Sequence, residues 1–121
     1  MNMETGKHTE KNSTRWYKNG QLHREDGPAV EWVDGSKEWF IDGKHHRENG
    51  PAIEWDDGKR EWYLNGVRHR ENGPAVEYPD GKKQWYLNGK LERVEFPAKE
   101  IKTLREKFFG SESLLGKAFK K

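Results

Sequence analysis

Apolar and polar residues alternate along this chain in short runs, and each run ends at a glycine-containing turn. Lys59-Arg60-Glu61-Trp62-Tyr63-Leu64 is bounded by Asp57-Gly58 and Asn65-Gly66. Alternation places Trp62 and Leu64 on one face of a strand and Tyr63 on the other. Asn-Gly and Asp-Gly are strong signals for tight hairpins of type I′, which need positive φ at both central residues. A third turn, Asn72-Gly73-Pro74, leads into another short strand over 74–78. The pattern predicts short antiparallel strands in a meander.

The pattern repeats. His23-Arg24-Glu25-Asp26-Gly27-Pro28-Ala29 returns 23 residues later as His46-Arg47-Glu48-Asn49-Gly50-Pro51-Ala52, and again as His69-Arg70-Glu71-Asn72-Gly73-Pro74-Ala75. The same offset joins Trp16, Trp39, Trp62 and Trp85, and it joins the turns Asn19-Gly20, Asp42-Gly43, Asn65-Gly66 and Asn88-Gly89. Arg93, Pro97, Ala98 and Glu100 keep the register for part of a fourth unit. Stacked hairpins would align the Trp residues in a row, and that row is the predicted core, since cross-strand aromatic pairs contribute about 0.2–1 kcal/mol each.

These units resemble MORN repeats, in particular through Tyr78-Pro79-Asp80-Gly81 followed by Trp85-Tyr86-Leu87-Asn88-Gly89. The likeness spans 14–98, with Arg-Glu-[Asp/Asn]-Gly-Pro-Ala where the family has a Gly-x-Gly element, as in divergent units of bacterial and viral proteins. It implies scaffolding and partner binding. The expected architecture is mainly β, a single-layer antiparallel meander of stacked β-hairpins over 14–97 with a short α-helical C-terminal extension.

Composition changes the picture in two ways. With 31% hydrophobic and 36% charged residues the chain is too polar for an ordinary core, so folding must lean on its 6 Trp, 4 Tyr and 5 Phe. Charge is also uneven: residues 97–121 carry seven Lys/Arg against three Glu, a net +4, which leaves −2 on residues 1–96. The chain has no Cys, and its first 13 residues lack the apolar stretch of a signal peptide. No window has the roughly 18 apolar residues of a membrane span. The expectation is a cytoplasmic protein with residues 1–13 as a disordered tail.

Candidate chemistry is repetitive. His23, His46 and His69 are metal-ligand types, but equivalent positions two strands apart are separated by about 9–10 Å, too far to share a zinc that holds its ligands at about 2 Å. No metal or other cofactor is expected. Arg24, Arg47, Arg70 and Arg93 recur with Glu25, Glu48, Glu71 and with Glu31, Glu54, Glu77, Glu100. They read as a ladder of ion pairs linking units, or as a stripe for phosphate. Catalysis needs unlike groups converging on one atom, and identical groups at fixed intervals predict no enzyme. Specificity is expected where units differ, at Leu22/His45/Arg68/Leu91, Gln21/Lys44/Val67/Lys90 and Val33/Asp56/Pro79.

The C-terminus changes period. After Pro97, the spacing of Ala98, Ile101, Leu104, Arg105 and Phe108 predicts a helix that stops at Gly110 and caps the stack. Ser111 then opens a second, basic amphipathic helix with Leu114, Leu115 and Phe119 on one side and Lys117 and Lys120 near its end. Those five residues are the expected partner-binding set, for another protein or for a second copy of the chain. The function expected is a non-enzymatic scaffold that binds a partner protein as an inhibitor or adaptor. The alternative is a protein that sequesters a nucleotide or other phosphorylated ligand through His46, Arg47, His69 and Arg70.

Overall fold

The computed structural model describes residues 4–108. Its strands are β1 (Gly6–Thr9), β2 (Ser13–Lys18), β3 (Gln21–Leu22), β4 (Val30–Trp32), β5 (Lys37–Glu38), β6 (Phe40–Ile41), β7 (Lys44–His45), β8 (Ile53–Glu54), β9 (Arg60–Glu61), β10 (Tyr63–Leu64), β11 (Val67–Arg68), β12 (Val76–Glu77), β13 (Lys83–Leu87) and β14 (Lys90–Glu95), followed by helix α1 (Ala98–Phe108). The fold is mainly β, and every strand pairing is antiparallel. The main sheet runs β1-β2-β4-β5-β8-β9-β12-β13-β14, with β3 pairing the end of β2; β6-β7 and β10-β11 form separate two-stranded hairpins.

Each inner unit is thus two hairpins in tandem, and the chain breaks pairing between them at Trp39 and Trp62. Trp39 N–H donates to Ala52 O at 2.7 Å and Trp62 N–H to Ala75 O at 2.8 Å. The ladder stops there because Pro51 and Pro74 come next on the facing segment and have no N–H to offer. The two turns of a unit also differ in type. Asn65 (φ 51°) and Gly66 (φ 81°) are both left-handed, as type I′ requires. At Asp57-Gly58 only Gly58 is (φ 99°), and Gly58 N–H bonds Trp55 O while Trp55 N–H bonds Lys59 O. That is a type I turn closed by a glycine bulge, a correction to the expected type I′.

Successive units are tied through the type I′ turns. The His46 ring accepts at Nδ1 from Asn65 N–H at 3.0 Å, and His23 and His69 do the same for Asp42 and Asn88, each at 2.9 Å. Gly43, Gly66 and Gly89 N–H bond the carbonyls of Leu22, His45 and Arg68. The first turn has no unit before it, and the N-terminal segment supplies the same pair of acceptors: Asn19 N–H bonds Thr5 Oγ at 3.0 Å, and Gly20 N–H bonds Glu4 O at 2.7 Å. Within the span expected to be a disordered tail, β1 pairs Lys7 with Trp16 and His8 with Arg15. An edge strand held by backbone pairing needs no apolar alternation. Deleting residues 1–9 should therefore lower stability by about 1–3 kcal/mol, the worth of a few cross-strand pairs; an unchanged urea midpoint would show that β1 covers nothing of consequence.

The stack ends by an equally local device. A Cβ on Gly73 would lie 2.9 Å from the Arg70 guanidinium carbon, and Gly27 and Gly50 are as tight at 3.0 Å. The residue 23 positions after Gly73 is Phe96. The loop cannot re-form around a Phe side chain, so the chain continues as β14 and pairs directly with β13. Helix α1 forms as its spacing predicts, with Pro97 O accepting from Glu100 N–H and Ile101 N–H. It buries no residue. The cap predicted from the helix is instead β14, which closes the last unit before α1 begins. The second predicted helix, with Leu114, Leu115, Lys117, Phe119 and Lys120, lies outside the described residues.

The buried centre differs from the predicted Trp row. Ala29, Ala52 and Ala75 are fully buried, flanked by buried Val30, Ile53 and Val76, while the four Trp of the row are half-buried. A sheet of this kind has no second layer to cover both sides of an indole. The outer side is covered by a guanidinium: Arg24, Arg47, Arg70 and Arg93 lie 3.8, 3.8, 3.9 and 4.3 Å from the ring centres of Trp16, Trp39, Trp62 and Trp85.

Candidate functional site

The Arg side chains hold their loops closed. Arg47 stacks on Trp39, donates to Pro51 O at 3.0 Å and pairs with Glu54 at 2.9 Å. Arg70 repeats this with Trp62, Pro74 O and Glu77, and Arg24 with Trp16, Pro28 O and Glu31. The predicted ion pairs form, but each closes its own loop and the ties between units are the His-to-turn bonds. A planar guanidinium can stack and bridge at once, which a lysine ammonium cannot.

Between these loops lie two equivalent grooves. The first, of about 910 Å³, runs between the loops at 23–27 and 46–49 over Trp39 and Ile41. The second, of about 410 Å³, runs between the loops at 47–50 and 69–72 over Trp62 and Leu64. The four residues singled out for a phosphorylated ligand are brought together here: His46 and Arg47 border the first groove, and Arg47, His69 and Arg70 the second. The guanidinium groups are occupied by Glu54 and Glu77. The rims carry outward carboxylates, with Glu25 and Glu71 side chains 75% and 78% exposed. An incoming phosphate would have to displace these pairs and pass negative rims, so the grooves do not suit it.

The opposite face holds a row that sequence reasoning missed. The His45 ring sits 4.1 Å from Phe40 and 5.2 Å from Tyr63, and the Arg68 guanidinium lies between Tyr63 and Tyr86. Beneath them are two carboxylates. Glu38 accepts from His45 at 2.8 Å and from the Trp32 indole at 2.7 Å; Glu61 accepts from Arg68 at 2.8 Å and from the Trp55 indole at 2.7 Å. The His45 hydrogen bond holds the Glu38 carboxyl below its ordinary range against the opposing effect of burial. Burial pushes Glu61 up, but the hydrogen bonds from Trp55 and Arg68 outweigh it and leave the group lowered. The available signal was register: Glu38, Glu61 and Gln84 share one position, as do Trp32, Trp55 and Tyr78. Of the variable positions, Gln21, Lys44 and Val67 pack against the next turn's glycine, while His45 and Arg68 build this row.

Among the described residues no three His, Asp or Glu side chains converge as a metal site, and no helix is long and apolar enough to cross a membrane. No protein-family model, curated protein or solved structure matches the chain.

Proposed function

We propose that this chain is a non-enzymatic, MORN-like repeat scaffold that binds a partner protein, as an inhibitor or adaptor. The observation that carries this reading is the use of the recurring polar groups. His23, His46 and His69 bond turns, and Arg24, Arg47 and Arg70 bond their own loops. What remains open to a partner is a repeated groove with polar and charged walls and an apolar floor, Trp39 and Ile41 in one and Trp62 and Leu64 in the next, the kind of extended surface on which solenoid proteins bind other chains. The C-terminal segment with Leu114, Leu115, Lys117, Phe119 and Lys120 would add a second contact or join two copies.

Affinity capture with the full chain, repeated with Ile41→Asp and with Leu115→Asp/Phe119→Asp, tests this. The expected result is one protein retained at high salt by the intact chain and lost with at least one variant. Capture that vanishes with added salt, together with recovery of a phosphorylated small molecule, would contradict it.

A further inference from the structure

The geometry points to the two grooves as consecutive sites for one extended peptide in the polyproline conformation, with an apolar side chain at every third residue and Lys or Arg between. This rests on the partner-binding reading and gives the partner its form.

Spacing is the first reason. Trp39 follows β5 and Trp62 follows β9, with β8 between them, so equivalent floors are two strands apart, about 9.5 Å. A polyproline helix returns to the same side every three residues, about 9.3 Å. A β-strand does so at about 6.7 Å and meets every second floor out of step. An α-helix comes near only after seven residues, about 10.5 Å.

Hydrogen bonding is the second. Each groove is lined by donors that the fold leaves available. Trp32 and Trp55 give their indole N–H to Glu38 and Glu61, whereas among the described residues no acceptor meets the indole N–H of Trp39 or Trp62. Because His46 and His69 accept at Nδ1, their proton sits on Nε2; among the described residues that of His46 has no hydrogen-bond partner, that of His69 stands 3.9 Å from Glu71, and only His23 already gives its Nε2 to a carboxylate, Glu25, at 3.1 Å. A polyproline chain has no internal hydrogen bonds and presents its carbonyls outward to such donors; an α-helix has bonded its own.

Charge is the third. With Arg47 and Arg70 paired to Glu54 and Glu77, the exposed charges of the loop tips are Glu48 and Glu71. Lys18 stands near Glu25, so the negative rim is clearest around Glu48, between the two grooves. Basic residues between the apolar anchors would meet it.

The test titrates the full chain with a synthetic (Leu-Pro-Lys) repeat peptide, a peptide of similar composition whose Leu recurs every fourth residue, and a (Leu-Pro-Glu) repeat. The three-residue basic peptide should bind at least tenfold tighter than either control. Ile41→Asp should weaken it tenfold or more, and Glu48→Lys, at an exposed position that leaves the fold alone, should weaken it several-fold. Equal binding of all three peptides, no binding, or no response to Glu48→Lys would overturn the proposal. So would binding that appears only in Leu115→Asp/Phe119→Asp, which would assign the grooves to this chain's own C-terminal segment. If the peptides fail while Ile41→Asp still abolishes capture of a protein, the partner-binding reading survives and the polyproline form does not.

Discussion

Trp62→Ala should lower stability by about 3–4 kcal/mol, the lower half of the range for deleting a packed aromatic side chain, since the ring is half-buried. The indole is the platform for the Arg70 guanidinium at 3.9 Å, and that guanidinium also holds Pro74 O and Glu77. Removing the ring takes away the platform under Arg70 and frees the loop that connects one unit to the next. Trp16 is the first of the row and has no complete unit before it. The structure gives Trp16 the same Arg cover, from Arg24 at 3.8 Å, with Lys7 of β1 at 5.7 Å. Trp16→Ala should therefore match Trp62→Ala to within about 1 kcal/mol in urea unfolding. A Trp16 variant as stable as the parent would show that β1 and Arg24 do not complete the first unit.

Glu61→Ala comes next, at about 2–3 kcal/mol. Removing one member of a buried charged pair costs about 3–5 kcal/mol, and the lower figure applies because the Arg68 side chain keeps 31% exposure while Glu61 keeps 5%. The Trp55 indole loses its acceptor as well. Glu61→Gln keeps that acceptor and removes only the charge, and Gln84 fills the equivalent position by accepting from Tyr78; a loss of about 1 kcal/mol is expected. The same carboxylates set an acid limit. Glu38 and Glu61 both have folded pKa values below the ordinary one. Their contribution is complete above the unfolded carboxylate value of about 4.3 and is lost as pH falls below it. Urea midpoints measured from pH 6 downward should fall less steeply for Glu61→Gln than for the parent. Parallel curves would remove Glu61 from the acid response.

The units, their turns and α1 were legible because each rests on a local signal: the 23-residue register, Asn-Gly pairs, and the spacing of Ile101, Leu104 and Phe108. Features that depend on a neighbour were not. Gly6-Lys7-His8-Thr9 has no strand pattern and becomes a strand because the edge of β2 is open to it. The Arg residues suggested a ladder between units, yet whether Arg47 reaches the next unit or its own Glu54 depends on the Gly50-Pro51 loop, which brings Glu54 to 2.9 Å. The Ala of each Gly-Pro-Ala reads as a small turn residue and is fully buried, since it bridges the strands on both sides. Glu61 reads as a surface charge, and it is the Trp55, Tyr63, Arg68 and Lys59 side chains gathered around it that bury it.

The recurring His residues tie the repeats together, and the recurring Arg residues close their own loops and leave the grooves between those loops open. Long-range ¹H–¹⁵N correlation of the imidazole rings in the full chain tests this directly, because Nδ1 can accept from Asp42, Asn65 and Asn88 N–H only if the proton is on Nε2. His23, His46 and His69 should all carry their proton on Nε2 and leave Nδ1 as an acceptor, whereas His8, whose ring meets only Tyr17 edge-on, should average between the two nitrogens. A proton on Nδ1 in the repeat histidines, or the same averaging as His8, would mean that the turns are not held by these rings and that the units are joined in some other way.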